Sequence, residues 1–157
     1  MRLTGAFLMR NRSRAREVAL QLLFQRDHNT TMDSAAVERF IHARLREESI
    51  QGFCRTLYEG VVQHGEEIDR RLADAAENWR LSRMATVDRN VLRLGAYELL
   101  FHGEAPASVV LDEAIELARR YGSAESPAFV NGILDRVRQA PQSAEPSPPS
   151  EEPAPPA

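Results

Sequence analysis

Apolar residues recur at three- and four-residue spacing from about position 13 to 138, and no stretch alternates Val, Ile, Thr and aromatics over the length of a strand. That spacing lines apolar side chains along one side of a helix, whereas a period of two would line them along a strand. The chain therefore reads as all-α. Punctuation divides it into seven predicted helices, at about 13–28, 33–47, 49–65, 66–78, 86–102, 106–121 and 126–138, with a short turn near 81–84. Asn29-Thr30-Thr31 breaks the first. Asp33 or Ser34, Ser49 and Thr86 suit N-caps. Pro106 and Pro127 suit first turns, and Gly122 suits a C-terminus.

Helical angles assign the faces. In the first helix Ala15, Val18, Ala19, Leu22 and Leu23 form a stripe, with Arg14, Glu17, Gln21 and Phe24 opposite. In the sixth, Leu111, Ala114, Ile115 and Ala118 are expected inside, and Asp112, Glu113, Glu116, Arg119 and Arg120 outside. The last should bury Val130, Ile133, Leu134 and Val137. The helix from Val87 is apolar around more of its circumference and should be central.

A length of 157 residues suits one domain with a real core. Residues 139–157 hold seven of the nine prolines, too polar a stretch to offset its ordering entropy, and read as a disordered tail. The net charge of −3 is placed unevenly. Six arginines stand in residues 1–26 against the single Glu17, an asymmetry that suits an anionic partner. All 20 basic residues are arginine. Cys54 is the only cysteine, which excludes an internal disulfide and a thiolate zinc cluster and fits a reducing compartment such as the cytoplasm. No apolar run is long enough to span a bilayer, and the patch Ala6-Phe7-Leu8 is too brief for a signal-peptide core.

Arg10, Arg12, Arg14 and Arg16 stand at alternate positions. Guanidinium forks bond phosphate oxygens two at a time. On a continuous helix Arg10 and Arg14 face one side while Arg12 and Arg16 face nearly the other. For all four to grip one surface, the segment before Ser13 must be extended or flexible, so residues 1–12 are expected to be a flexible basic arm that orders on binding. Phe24 lies off the buried stripe, beside Gln21 and on the side of Arg14. Rings next to arginines suit unpaired RNA, with bases stacked and phosphates held; spacing equally allows Phe24 to pack under another segment. Phe129 stands about 90° from the core centre of its helix, on the flank of Arg136, close to a helix N-terminus where free N–H groups favour phosphate. Core edge and ligand platform both fit it.

Enzymatic chemistry finds little support. His102-Gly-Glu104 has the His-x-Glu spacing of zinc deaminases without their Pro-Cys-x-x-Cys partner. His28, His42, His64 and His102 are scattered, and there is no HExxH, P-loop or dinucleotide fingerprint. No metal and no cofactor are expected. Glu98 falls on an apolar face and needs a partner; an ion pair with an arginine is the expected solution. The acidic outer face at Asp112, Glu113 and Glu116 suits solvent or a basic protein.

Three segments carry a resemblance. RSRAREVALQLLFQ (12–25), DRNVLRLGAYELLF (88–101) and LDEAIELARRYGSAESPAFVNGILDRV (111–137) resemble the NusB family of bacterial transcription antitermination factors, with weaker similarity over 53–81. Residues 29–50 and the proline-rich tail match poorly. The resemblance implies two packed helical bundles, and a non-enzymatic protein that binds single-stranded boxA RNA of ribosomal RNA leaders together with NusE, a small-subunit ribosomal protein. The complex would join RNA polymerase and carry it through terminators. The family's basic N-terminus falls on Arg10 to Arg16, its first-helix aromatic on Phe24 and the Phe of FVNG on Phe129; a NusE surface would lie around Tyr97, Glu113 and Glu116. Where the family often has Tyr, Phe24 keeps the ring and loses the hydroxyl. Its GAEDS turn reads GSAES here (122–126), one acid fewer. A homodimer is a further option, and the alternative role is that of an accessory protein in ribosomal RNA modification or maturation.

Overall fold

A computed structural model describes residues 2–77 and 79–140, with side chains from residue 10 onward. The tail expected to be disordered lies almost wholly outside the described residues, as does Asn78. Described residues form seven α-helices and no strand: α1 (Arg2–His28), α2 (Ser34–Arg44), α3 (Glu48–Gln63), α4 (Gly65–Ala75), α5 (Thr86–Tyr97), α6 (Ala107–Tyr121) and α7 (Ser126–Gln139). A 3-10 turn at Leu81–Arg83 precedes α5, and a wider π turn at Glu98–His102 continues it.

Local chemistry accounts for two of the boundaries. Asp33 caps α2 by accepting from the Ala36 N–H at 2.8 Å. The π turn stops at Gly103, whose φ of +65° is the left-handed conformation that glycine adopts without strain, and whose N–H reaches the Glu98 carbonyl at 3.1 Å. The expected helix over 86–102 is thus an α-helix with a widened last turn. The expected helix over 66–78 ends earlier, at Ala75.

The helices pack as two groups. α1, α2 and α3 touch one another, α4 to α7 form the second group, and α5 meets α1, α3, α4, α6 and α7. The expected central place of α5 holds. The first-helix stripe is buried in full, as is the quartet Val130, Ile133, Leu134 and Val137. Each Val, Leu or Ile among them contributes about 1.5–3 kcal/mol by leaving water, and each Ala less. In α6 the buried face is Val110, Ala114, Leu117 and Ala118, while Leu111 and Ile115 are only half-buried. The inward face is therefore rotated from the expected one, and Glu113, expected outside, is half-buried at its edge.

The start of α1 differs from the expected one. The helix starts at Arg2 instead of near Ser13, so the segment expected to be an extended arm is helical here. A continuous helix cannot turn four alternate arginines to one surface, and they divide between two sides.

Candidate RNA-binding groove

Arg16 turns inward. It is 3% exposed, its Nε donates to Glu98 Oε1 at 2.7 Å, and its Nη2 donates to Glu98 Oε2 at 2.9 Å. Glu113 adds a carboxylate oxygen 3.9 Å from Nη1, and Ser13 Oγ donates to that same carboxylate at 2.6 Å. Burial alone would lower the Arg16 pKa; the hydrogen bonds and charge of Glu98, with Glu113, outweigh it and leave the guanidinium raised and charged. Arg16 is thus corrected from a phosphate contact to the buried partner that Glu98 required. Arg12 lies one turn away, half-buried, with its guanidinium 4.9 Å from the centre of the Phe53 ring.

Arg10 and Arg14 stay at the surface. Arg14 Nη1 donates to Glu17 Oε1 at 2.9 Å. The same carboxylate accepts from the Tyr121 hydroxyl and, at 3.3 Å, from Arg120 Nη1. Glu17 thereby ties α1 to the end of α6 and sets Arg14 and Tyr121 side by side. Burial, then the bond to Glu17, raises the Tyr121 pKa and keeps its hydroxyl a donor.

Phe24 is 42% exposed and Tyr121 40% exposed, large fractions for aromatic rings. Both line a groove of about 430 Å³ with Arg14, Gln21, Gln25, Phe40 and Arg44. No acid is among its lining residues. Phe24 leans edge-on against His28 at 4.7 Å between ring centres, which fixes its plane and leaves ring surface to solvent. Arg44 lies over the Phe40 ring, 3.4 Å from its centre. Of the residues singled out from sequence, Arg14, Gln21 and Phe24 meet here. Phe40, Arg44 and Tyr121 were missed. An exposed aromatic at the end of α6 was a usable signal for Tyr121; α2 gave none, because its contribution appears only when it folds against α1.

Phe129 and Arg136 stand elsewhere. Phe129 is half-buried and meets Trp79 edge-on at 5.5 Å, and Trp79 is itself 60% exposed. Arg136 Nη1 donates to the Ala75 carbonyl at 3.0 Å. Among the described residues no ring contact joins Phe129 to Phe24.

The expected protein-contact residues also divide. Glu113 and Glu116 line one cleft of about 550 Å³ between α1 and α6, with Asp112, Glu17, Arg10 and Arg14. Tyr97 is not at that surface. It is 8% exposed, lies beside the stacked pair of His64 and Phe101 and packs against Gly60, so direct partner contact is corrected to a core role.

Reactive chemistry is sparse. Among the described residues no three His, Cys, Asp or Glu side chains come together as a metal site. Burial pushes the Cys54 thiol up to about 12, which holds it protonated and unreactive. No described helix is long and apolar enough to cross a membrane.

Comparison with known proteins agrees with this arrangement. The NusB family model matches residues 13–139. The transcription antitermination protein NusB of Trichlorobacter lovleyi is 42% identical over 136 residues, covering 87% of this chain and 96% of the relative. That of Desulfitobacterium hafniense is 47% identical over 131 residues, covering 81% and 87%. Among solved structures, T. maritima NusB superposes with a TM-score of 0.73 at 38% identity, over 81% of this chain and 89% of that one. A crystal structure of the antitermination factors NusB and NusE in complex with double-stranded RNA gives 0.75 at 26% identity, over 83% and 97%. A profile match across nearly all of the helical region, with relatives aligned over most of their own length, leaves one conclusion: the chain belongs to the NusB family.

Proposed function

We propose that this chain is a non-catalytic RNA-binding antitermination factor. It takes single-stranded boxA-type RNA of ribosomal RNA leaders together with NusE, joins RNA polymerase and promotes processive transcription in the cytoplasm. The groove at Phe24 carries this reading. It offers an exposed ring for an unpaired base and two arginines for phosphates, with no acid among its lining residues. The related NusB–NusE complex with RNA supports both partners. Arg10 supplies further positive charge on the same side of α1 as Arg14, while Arg12 turns toward Phe53. The cleft bearing Asp112, Glu113 and Glu116 suits a basic protein such as NusE. Phe129 and Arg136, apart from the groove, form a second candidate RNA contact beside Trp79.

The test is binding of single-stranded and duplex boxA RNA by the purified full chain, with and without NusE, across a salt series, with the solution mass measured alongside. For three to four phosphate contacts the log–log slope should be roughly −2 to −3, and NusE should tighten binding. A slope near zero, or equal affinity for any duplex, overturns the reading.

A further inference from the structure

Resting on that RNA-binding reading, we infer that the RNA path continues beyond Phe24, passing between Arg14 and Arg44 into a second cleft at the α2–α3 connection, where Arg44 and Arg46 hold successive phosphates. Two adjacent cavities carry the argument. The groove at Phe24 and a cleft of about 270 Å³ lined by Asn11, Leu45, Arg46, Glu47 and Ile50 share the same two lining residues, Arg14 and Arg44. A strand leaving the ring therefore meets two guanidinium groups from different helices and then a further cation. Glu47 is the only acid among the residues lining either cavity.

Arg44 is placed in advance. Its Nη1 donates to the Phe40 carbonyl at 3.2 Å while its plane rests on the Phe40 ring. That uses one of five N–H donors, and the rest remain for phosphate. Arg14 is bonded to Glu17, but among the described residues neither Arg44 nor Arg46 has a carboxylate at salt-bridge distance. A guanidinium stacked on a ring and not neutralised by an acid loses little freedom when it takes a phosphate. The rings favour a single strand, since a duplex keeps its bases stacked on one another.

Length dependence tests the path. A fluorescent single-stranded boxA RNA of about 12 nucleotides should reach both cavities, and one cut to about 5 should fill only the groove at Phe24. In the full chain, Arg44→Gln should weaken the long RNA roughly tenfold, reduce its salt slope by about one and leave the short RNA within about twofold. Arg44→Lys should restore the slope. Phe24→Ala should weaken both lengths. Arg46→Gln, lying between helices, carries the same test should Arg44→Gln unfold α2. Unchanged affinity and slope for the long RNA in both arginine variants, with Phe24→Ala still harmful, would overturn the path and leave the groove intact. Equal weakening of both lengths by Arg44→Gln also overturns it, by placing Arg44 at the ring itself. Indifference of both RNAs to Phe24→Ala would remove the groove reading and the path together.

Discussion

Arg16 and Glu98 are joined by two parallel hydrogen bonds of 2.7 and 2.9 Å in the interior, one from α1 and the other from the first residue of the π turn. Removing one member strands the other's charge away from water. Arg16→Ala should therefore lower stability by about 3–5 kcal/mol, while Arg16→Met combined with Glu98→Leu should recover most of it. Urea unfolding measures both. A loss below about 1 kcal/mol in the single variant would show that the pair is relieved by water.

Phe24 behaves oppositely if it serves RNA. With 42% of the residue exposed, Phe24→Ala should change stability by less than about 1 kcal/mol yet weaken boxA RNA by about 1–3 kcal/mol through lost stacking. Phe24→Tyr should bind near normally. Thermal melts and RNA titrations on the same samples separate the two effects. A large drop in stability with unchanged RNA affinity would make the ring a core residue.

Gly60 is constrained by contact. A Cβ placed there would lie 2.1 Å from the Tyr97 ring, closer than any real contact. Gly60→Ala should destabilise by about 1–3 kcal/mol, and adding Tyr97→Leu should relieve part of that loss. Calorimetry of the two variants checks it; a neutral Gly60→Ala would mean that the ring moves freely.

Cys54 gives a dependence on alkaline pH. Its folded thiol, pushed up to about 12, ionises later than the ordinary thiol at 9.0. The unfolded chain therefore loses its proton first as pH rises. The contribution of Cys54 is fully present below pH about 9 and is lost progressively toward 12. The alkaline fall in stability should be shallower in Cys54→Ala. Iodoacetamide should label native protein only as fast as it opens; rapid labelling at neutral pH would contradict the burial.

Much of this architecture was legible because helical angle limits which residues can face inward together, although in α6 packing turned the buried face from Leu111 and Ile115 toward Val110 and Leu117. The place of Phe24 off the stripe left its exposure open, and the structure decided it; the need of Glu98 for an arginine followed from its apolar face. What could not be read was which arginine. Arg16 was grouped with Arg10, Arg12 and Arg14 by spacing, although its angle lies beside Leu20 and Leu23, and only packing brings α5 to it. Tyr97 was placed at a surface from family likeness, yet glycine at position 60 lets α3 close over it. The groove is the least local feature. Phe24, Phe40 and Tyr121 belong to three helices, and no periodicity within one helix signals a ring from another.

The clasp between positions 16 and 98 also sets a schedule. It spans 82 residues, so during synthesis the N-terminal helix emerges well before its counter-ion exists. At ordinary translation speeds the gap lasts on the order of ten seconds. Through that interval the guanidinium can reach the Phe53 ring of the third helix but not its counter-ion, so the shared interior of the first three helices holds an unpaired charge until the turn after the fifth arrives.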